Sequence, residues 1–256
     1  MSVGQQLVRT AWKAGPFKTA LRPAVRSLRD STWGPWNWWR TARACRILAI
    51  EFGHVRSSAE ETSIDRQGQP VPWFSYPAIE FLGRLDLSAK SVFEYGCGNS
   101  TRYWGRRAAS VVSVEHVPDY YALIAPQLPP NCELTLRAPA ENYIGALARS
   151  NHDRGGRGFD VIVIDGHSRV RCAEHAAEHL APGGMIILDN SEWFPEASAH
   201  LRAAELIEVT FSGFAPIGDA TQTTTFFFDR GFNFPLEDRP PGSIGSVPKP
   251  KFDRVR

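Results

Sequence analysis

Two carboxylates bracket a glycine turn within Ser91–Glu115, SVFEYGCGNSTRYWGRRAASVVSVE. Glu94 lies just before Gly96-Cys97-Gly98, and Glu115 falls 19 residues beyond Gly96 (115 − 96). Glycines let a backbone approach a ligand with no Cβ in the way. A helix opening after them presents unpaired N–H groups to the same spot. An acid about 20 residues on, at the tip of a second strand, can accept two hydrogen bonds from a ribose diol. The apolar runs Ser91–Tyr95 and Val111–Val114, with a helical stretch between them, supply the strand, loop, helix, strand order that this chemistry needs.

The kind of nucleotide follows from what the turn lacks. A dinucleotide fingerprint carries a third small residue, and its ligand is a pyrophosphate. Here Asn99, Ser100 and Thr101 follow Gly98, and Glu94 is poorly placed beside a diphosphate. An acid there suits a ligand with a positive charge or an amine. The combination resembles motif I of the class I S-adenosylmethionine-dependent methyltransferases, and the resemblance runs from about Ser91 to Asp229. It implies S-adenosylmethionine as cofactor. Glu94 would serve the amino group of the methionine end, directly or through water, and Gly96 and Gly98 would let the backbone approach that ligand. Ser100 or Thr101 would cap the helix and touch the cofactor's carboxylate. Glu115 would hold the ribose. Glu141 loosely matches the position that meets the adenine amine; it reads equally well as a helix N-terminal charge.

Further polar residues stand at the ends of later apolar runs. FDVIVI is followed by Asp165-Gly166-His167, and GGMIIL by Asp189-Asn190-Ser191. Asp165 is expected to emerge beside the methyl group. With Trp193, these segments resemble those of metal-dependent O-methyltransferases, which implies Asp165, Asp189 and Asn190 as ligands of a divalent cation. Such oxygen donors suit Mg²⁺ or Ca²⁺. The glycine that follows the tryptophan in that group is absent, and Phe194-Pro195 stand there instead. His167, with an ordinary pKa near ~6.5, is either a general base or a solvent-facing loop residue. Arg169 can act as a bidentate donor to an acidic acceptor. Cys172 reads as a small buried residue rather than a nucleophile.

These residues need a scaffold, and the chain can build one. With 256 residues, 43% hydrophobic and 22% charged, it suits one large domain with appendages. A net charge of +2 gives no push toward nucleic acid. The four cysteines form no C-x-x-C pair, which fits a reducing cytoplasm. No apolar run is long enough to span a membrane. Apolar runs alternate with helical stretches until the last two, Leu206–Phe211 and Thr223–Phe228, which only a loop joins. The spacing predicts an α/β, doubly wound, seven-stranded Rossmann-like sheet whose last strand is antiparallel, with an N-terminal helical arm.

The expected organisation is a basic, Trp-rich arm over 1–70, a methyltransferase domain over 71–234 and a Pro-rich tail over 235–256. The first 29 residues hold six Lys and Arg and no acid. They read as a solvated arm, as a transit peptide or as a helix on an anionic membrane. Trp33, Trp36, Trp38 and Trp39 are expected chiefly to pack the arm down; the other roles open to them are an aromatic wall for a substrate and a membrane-interface belt. Trp73–Tyr76 either line the cofactor site or pack beneath the sheet. The expected activity is methyl transfer to an oxygen of a saccharide or other small hydroxylated acceptor. The alternatives are an NAD-dependent dehydrogenase or epimerase, and a methyltransferase-like binding protein without turnover.

Overall fold

The computed structural model describes residues 32–138 and 140–246. The basic stretch of the first 29 residues, read as an arm, a transit peptide or a membrane-surface helix, lies outside them. The chain divides into two compact units, Met1–Leu48 and Ala49–Arg256.

In the larger unit, β1 (Ser91–Tyr95), β2 (Ser110–Glu115), β3 (Cys132–Leu136), β4 (Phe159–Ile164), β5 (Leu180–Asp189), β6 (Ile207–Phe214) and β7 (Thr221–Phe228) form one sheet. Its order is β3-β2-β1-β4-β5-β7-β6. The strands from β3 to β5 pair in parallel, as in Val92↔Val111 and Val92↔Val161. Strand β7 runs antiparallel to β5, with Met185 opposite Phe228, and antiparallel to β6. Residues 215–220 alone join β6 to β7, too short a path for a crossover helix, so the reversal is forced. This seven-stranded mixed sheet is the class I methyltransferase Rossmann-like fold.

Burial on both faces explains the continuous apolar runs. Along β4, Val161 and Val163 join one layer with Leu82, Trp104, Met185 and Phe226. Ile162 and Ile164 join the other with Tyr95, Tyr143, Leu188 and Phe227. The helices that supply these layers include α3 (Tyr76–Leu82), α4 (Asn99–Arg107), α7 (Ala146–Asp153), α8 (Arg169–Ala176) and α9 (Pro195–Ala203). The chain leaves β1 to build β2 and β3 on one side, then returns to place β4 on the other. The carboxyl ends of β1 and β4 therefore border the crevice where such sheets bind ligands.

The segment from 49 to 70 packs with the sheet. Asn99 Nδ2 donates to Thr62 Oγ1 at 2.9 Å and to the Ser63 carbonyl at 2.8 Å. The tail begins in the same way: Asp86 N–H donates to the Pro235 carbonyl, and Arg107 pairs with Glu237 at 3.0 Å. Of Trp73–Tyr76, packing claims all but the first. Phe74, Ser75 and Tyr76 are buried, while Trp73 is half exposed.

The smaller unit contributes α1 (Pro35–Arg46), in which no residue is buried. Trp33, Trp36, Trp38 and Trp39 are 52–76% exposed. Among the described residues these indoles pack chiefly on one another: Trp36 stacks on Trp39, and Trp33 lies beside Trp38. No helix of the described residues is long and apolar enough to cross a membrane.

Candidate functional site

The glycine loop is locked from within by Glu94. This residue shares the face of Val92 on β1, the side that α4 covers, and is fully buried. Thr101 Oγ1 donates to its Oε2 at 2.5 Å, Ser113 Oγ to the same oxygen at 2.9 Å, and Trp104 Nε1 to Oε1 at 3.2 Å. Thr101 Oγ1 in turn accepts the Gly98 N–H at 3.1 Å. Burial pushes the Glu94 carboxyl up to about 7 against the pull of its hydroxyl donors. The sequence expectation turned this carboxylate toward a ligand amine. Its oxygens are instead committed inward, because an acid in the middle of a buried strand needs internal donors. Ser100 is buried in the first turn of α4, and the hydroxyl that holds the loop is that of Thr101.

Gly96 and Gly166 meet back to back. Gly96 has φ +98°, and a Cβ there would stand 3.2 Å from Gly166 Cα. A Cβ on Gly166 would lie 1.9 Å from Tyr143 Oη and 2.9 Å from the Gly96 nitrogen. The Gly166 N–H donates to the Tyr95 carbonyl at 2.8 Å, tying the exit of β4 to that of β1.

Glu115, at the tip of β2, is buried and held in one orientation. Its Oε1 accepts N–H bonds from His116 at 2.7 Å and Val117 at 2.9 Å. Its Oε2 faces the loop, where the Cys97 thiol donates to it at 3.5 Å. Burial and the Glu115 charge push that thiol up, so it stays neutral. From α5 (Pro118–Ile124), the Tyr120 hydroxyl lies over Gly98, 2.9 Å from where a Cβ would be. Sequence reasoning missed Tyr120; its one signal was a position in the first turn of the helix after Glu115.

His167 lies on the same side. Its ring stacks on His116 with centroids 4.9 Å apart, and Tyr143 meets His116 edge-on at 5.6 Å. His116 Nδ1 is 3.0 Å from Glu115 Oε1. His167, read from the sequence as a base or a loop residue, thus stands against His116, which in turn meets Glu115. Glu141, in α6 (Ala140–Ile144), is exposed and lies 3.8 Å from Arg171.

Across the crevice, one arginine organises the exits of β4 and β5. Arg169 Nη2 donates to Asp165 Oδ1 at 2.9 Å, Nη1 to Asn190 Oδ1 at 3.0 Å, and Nε to the Gly166 carbonyl at 3.1 Å. Nη1 also donates to the Asp189 carbonyl. The Asp189 carboxylate points away, toward Thr224 Oγ1 at 2.7 Å and Gln222 Nε2 at 3.4 Å. Burial raises both Asp165 and Asp189; Arg169 opposes the shift at Asp165, and the Asp165 charge adds to it at Asp189.

These donors do not fit a divalent ion. Asp165 and Asn190 already serve a guanidinium, while Asp189 is turned to hydroxyl and amide donors. Among the described residues, no group of three or more His, Cys, Asp or Glu side chains is arranged to hold a metal. The same bonds occupy Arg169, so it is not the free bidentate donor that its position suggested. Cys172 is buried, as a small core residue should be.

Beside Arg169 opens a pocket of about 390 Å³ lined by His167, Arg171, Trp193 and Phe194. Trp193 is 69% exposed. The pocket offers a flat aromatic face and an exposed guanidinium next to the crevice.

No family model matches the chain, and no curated protein matches it in sequence. Solved structures align with part of it. An O-methyltransferase from Bacillus cereus in complex with SAH is 17% identical, with TM-score 0.44, over 60% of this chain and 78% of that one. Precorrin-6y C5,15-methyltransferase from Geobacter metallireducens is 12% identical, with TM-score 0.46, over 67% and 96%. Spermidine synthase from Thermotoga maritima is 15% identical, with TM-score 0.42, over 57% of this chain; the match spans 55% of the synthase. The fold assignment stands on the strand order itself.

Proposed function

We propose that this chain is an S-adenosylmethionine-dependent methyltransferase acting on an oxygen of a saccharide or another small hydroxylated molecule. One observation carries the reading: a glycine loop braced by buried Glu94 faces a Glu115 carboxylate fixed at the next strand's tip. Side chains at Gly96 and Gly98 would collide with Gly166 and the Tyr120 hydroxyl, so the loop keeps this shape only with glycines. When bound, S-adenosylmethionine supplies a methyl group on a sulfonium, open to in-line attack by an oxygen.

The protein's own residues do the rest. Glu115 accepts the ribose hydroxyls. His116 and His167, stacked beside it, wall the nucleoside side. Asp165 takes the proton of the acceptor hydroxyl, with Arg169 holding the carboxylate in place and balancing its charge. Arg171 and Trp193 orient the acceptor; a flat indole face suits a sugar ring.

Calorimetry on the folded protein provides the test. S-adenosylmethionine and its demethylated product should bind and NAD should not. Replacing Glu115 with Ala should weaken binding about tenfold to a hundredfold, the worth of one or two charged hydrogen bonds. Release of S-adenosylhomocysteine with a panel of hydroxylated acceptors, undiminished by a chelator, should follow. Uptake of NAD alone overturns the reading. Binding of the methyl donor with no turnover on any acceptor leaves the binding-protein alternative standing in its place.

A further inference from the structure

We propose that α1 and the residues just before it form an interfacial anchor that lays the protein on an anionic phospholipid surface. The argument is independent of the activity proposed above.

Charge is divided unevenly along the chain. Residues 1–48 carry nine Lys and Arg against one acid, Asp30, a net +8. Residues 49–256 carry 20 against 26, a net −6. The overall +2 conceals this polarity. A cationic segment appended to an acidic body is drawn to an anionic partner by that segment alone.

The side chains of α1 specify which anionic partner. Trp36, Trp39, Arg40, Arg43 and Ile47 recur at i, i+3, i+4, i+7 and i+11, which places them along one side of the helix. None of the α1 residues is buried, so this side has no core to cover. Tryptophan is the residue of the membrane–water interface, where its ring meets acyl chains and its N–H meets headgroups. Arginine can rest its stem on apolar surface and extend its charge to a phosphate. Apolar contact and basic charge together provide the two signals that stable attachment needs.

A single-stranded nucleic acid is also anionic and also favours aromatic side chains, but it needs free ring faces to stack its bases. Here the indoles face one another. Trp36 and Trp39 are stacked at 5.4 Å, and Trp33 and Trp38 pack at 6.1 Å. Mutually packed rings suit a membrane wedge better than a base-stacking platform.

The experiment uses the full chain and flotation with two vesicle types, phosphatidylcholine alone and phosphatidylcholine with phosphatidylserine. Binding is expected to the serine-containing vesicles, with a blue shift of tryptophan fluorescence and weakening at high salt. The double variants Trp36→Ala/Trp39→Ala and Arg40→Glu/Arg43→Glu should each lower partitioning by about tenfold or more. Their cooperative unfolding should match the parent's, since α1 has no buried residue. The proposal is overturned by failure of the parent to float with anionic vesicles or by equal binding to both vesicle types. Tighter binding to a single-stranded oligonucleotide, or a lipid-free dimer that buries the indoles, overturns it equally.

Discussion

Glu94 and Glu115 flank the same loop, yet their surroundings give them different work. Glu94 sits buried among Thr101, Trp104 and Ser113, while Glu115 is clamped by two backbone N–H groups and turns one oxygen to the loop. The Glu94 carboxyl is raised from 4.5 to about 7 by burial. The folded protein therefore binds this proton more tightly than the unfolded chain does. The group's favourable contribution is complete below pH 4.5, is lost as pH rises through 7, and its loss levels off above that. Linkage sets the swing at roughly 3 kcal/mol. Comparing Glu94→Gln with the parent by denaturant titration across this range should show their stability difference moving in the variant's favour toward alkaline pH. Parallel curves would remove the argument. A second prediction separates the two candidate bases. Asp165→Asn should lower kcat by about a hundredfold or more. His167→Ala, which removes the ring stacked on His116 next to Glu115, should instead raise the KM for the methyl donor and leave kcat within a few fold. A collapse of kcat in the histidine variant alone would reverse these roles.

At the scale of elements, the site is where β1, β2 and β4 end, and its precision comes from how tightly those ends are joined. The contact of Gly96 with Gly166 leaves no space for a methyl group, and Tyr143 closes it from the other layer. Gly166→Ala should destabilise the protein by about 1–3 kcal/mol, the usual cost of overpacking, and should weaken cofactor binding as the loop shifts. Adding Tyr143→Phe removes the nearest clashing atom and should restore part of both losses. An alanine variant as stable as the parent would show that the two strand ends are not so closely coupled. Arg169 performs a similar task between β4 and β5. It opens α8, so its position follows from the helix start, and it reaches back to both strand exits.

At the scale of the molecule, the chain combines an acidic sheet-bearing unit with a cationic one in which Trp33, Trp36, Trp38 and Trp39 are exposed. Both apolar layers of the sheet come from residues beyond Leu48. A chain beginning at Ala49 should therefore unfold within about 4 °C of the full protein and bind S-adenosylmethionine as well. Loss of either property would mean that the first unit completes the fold or the cofactor site.

Periodicity and turn chemistry alone determined the seven strands, the reversed last one, the glycine loop and the acids at the strand ends. These features are local: a buried strand needs its apolar run wherever it sits, and a tight turn needs its glycines. Tertiary structure alone decided which way each polar group points. Glu94 is met by Ser113, His167 by His116, and Asn190 by an arginine 21 residues earlier. These partners are close in space and distant in sequence, and only the packing of strands against one another brings them together. For the same reason, of three residues resembling a metal site in sequence, Asp165 and Asn190 serve an arginine's guanidinium, while the Asp189 carboxylate turns to Thr224 and Gln222.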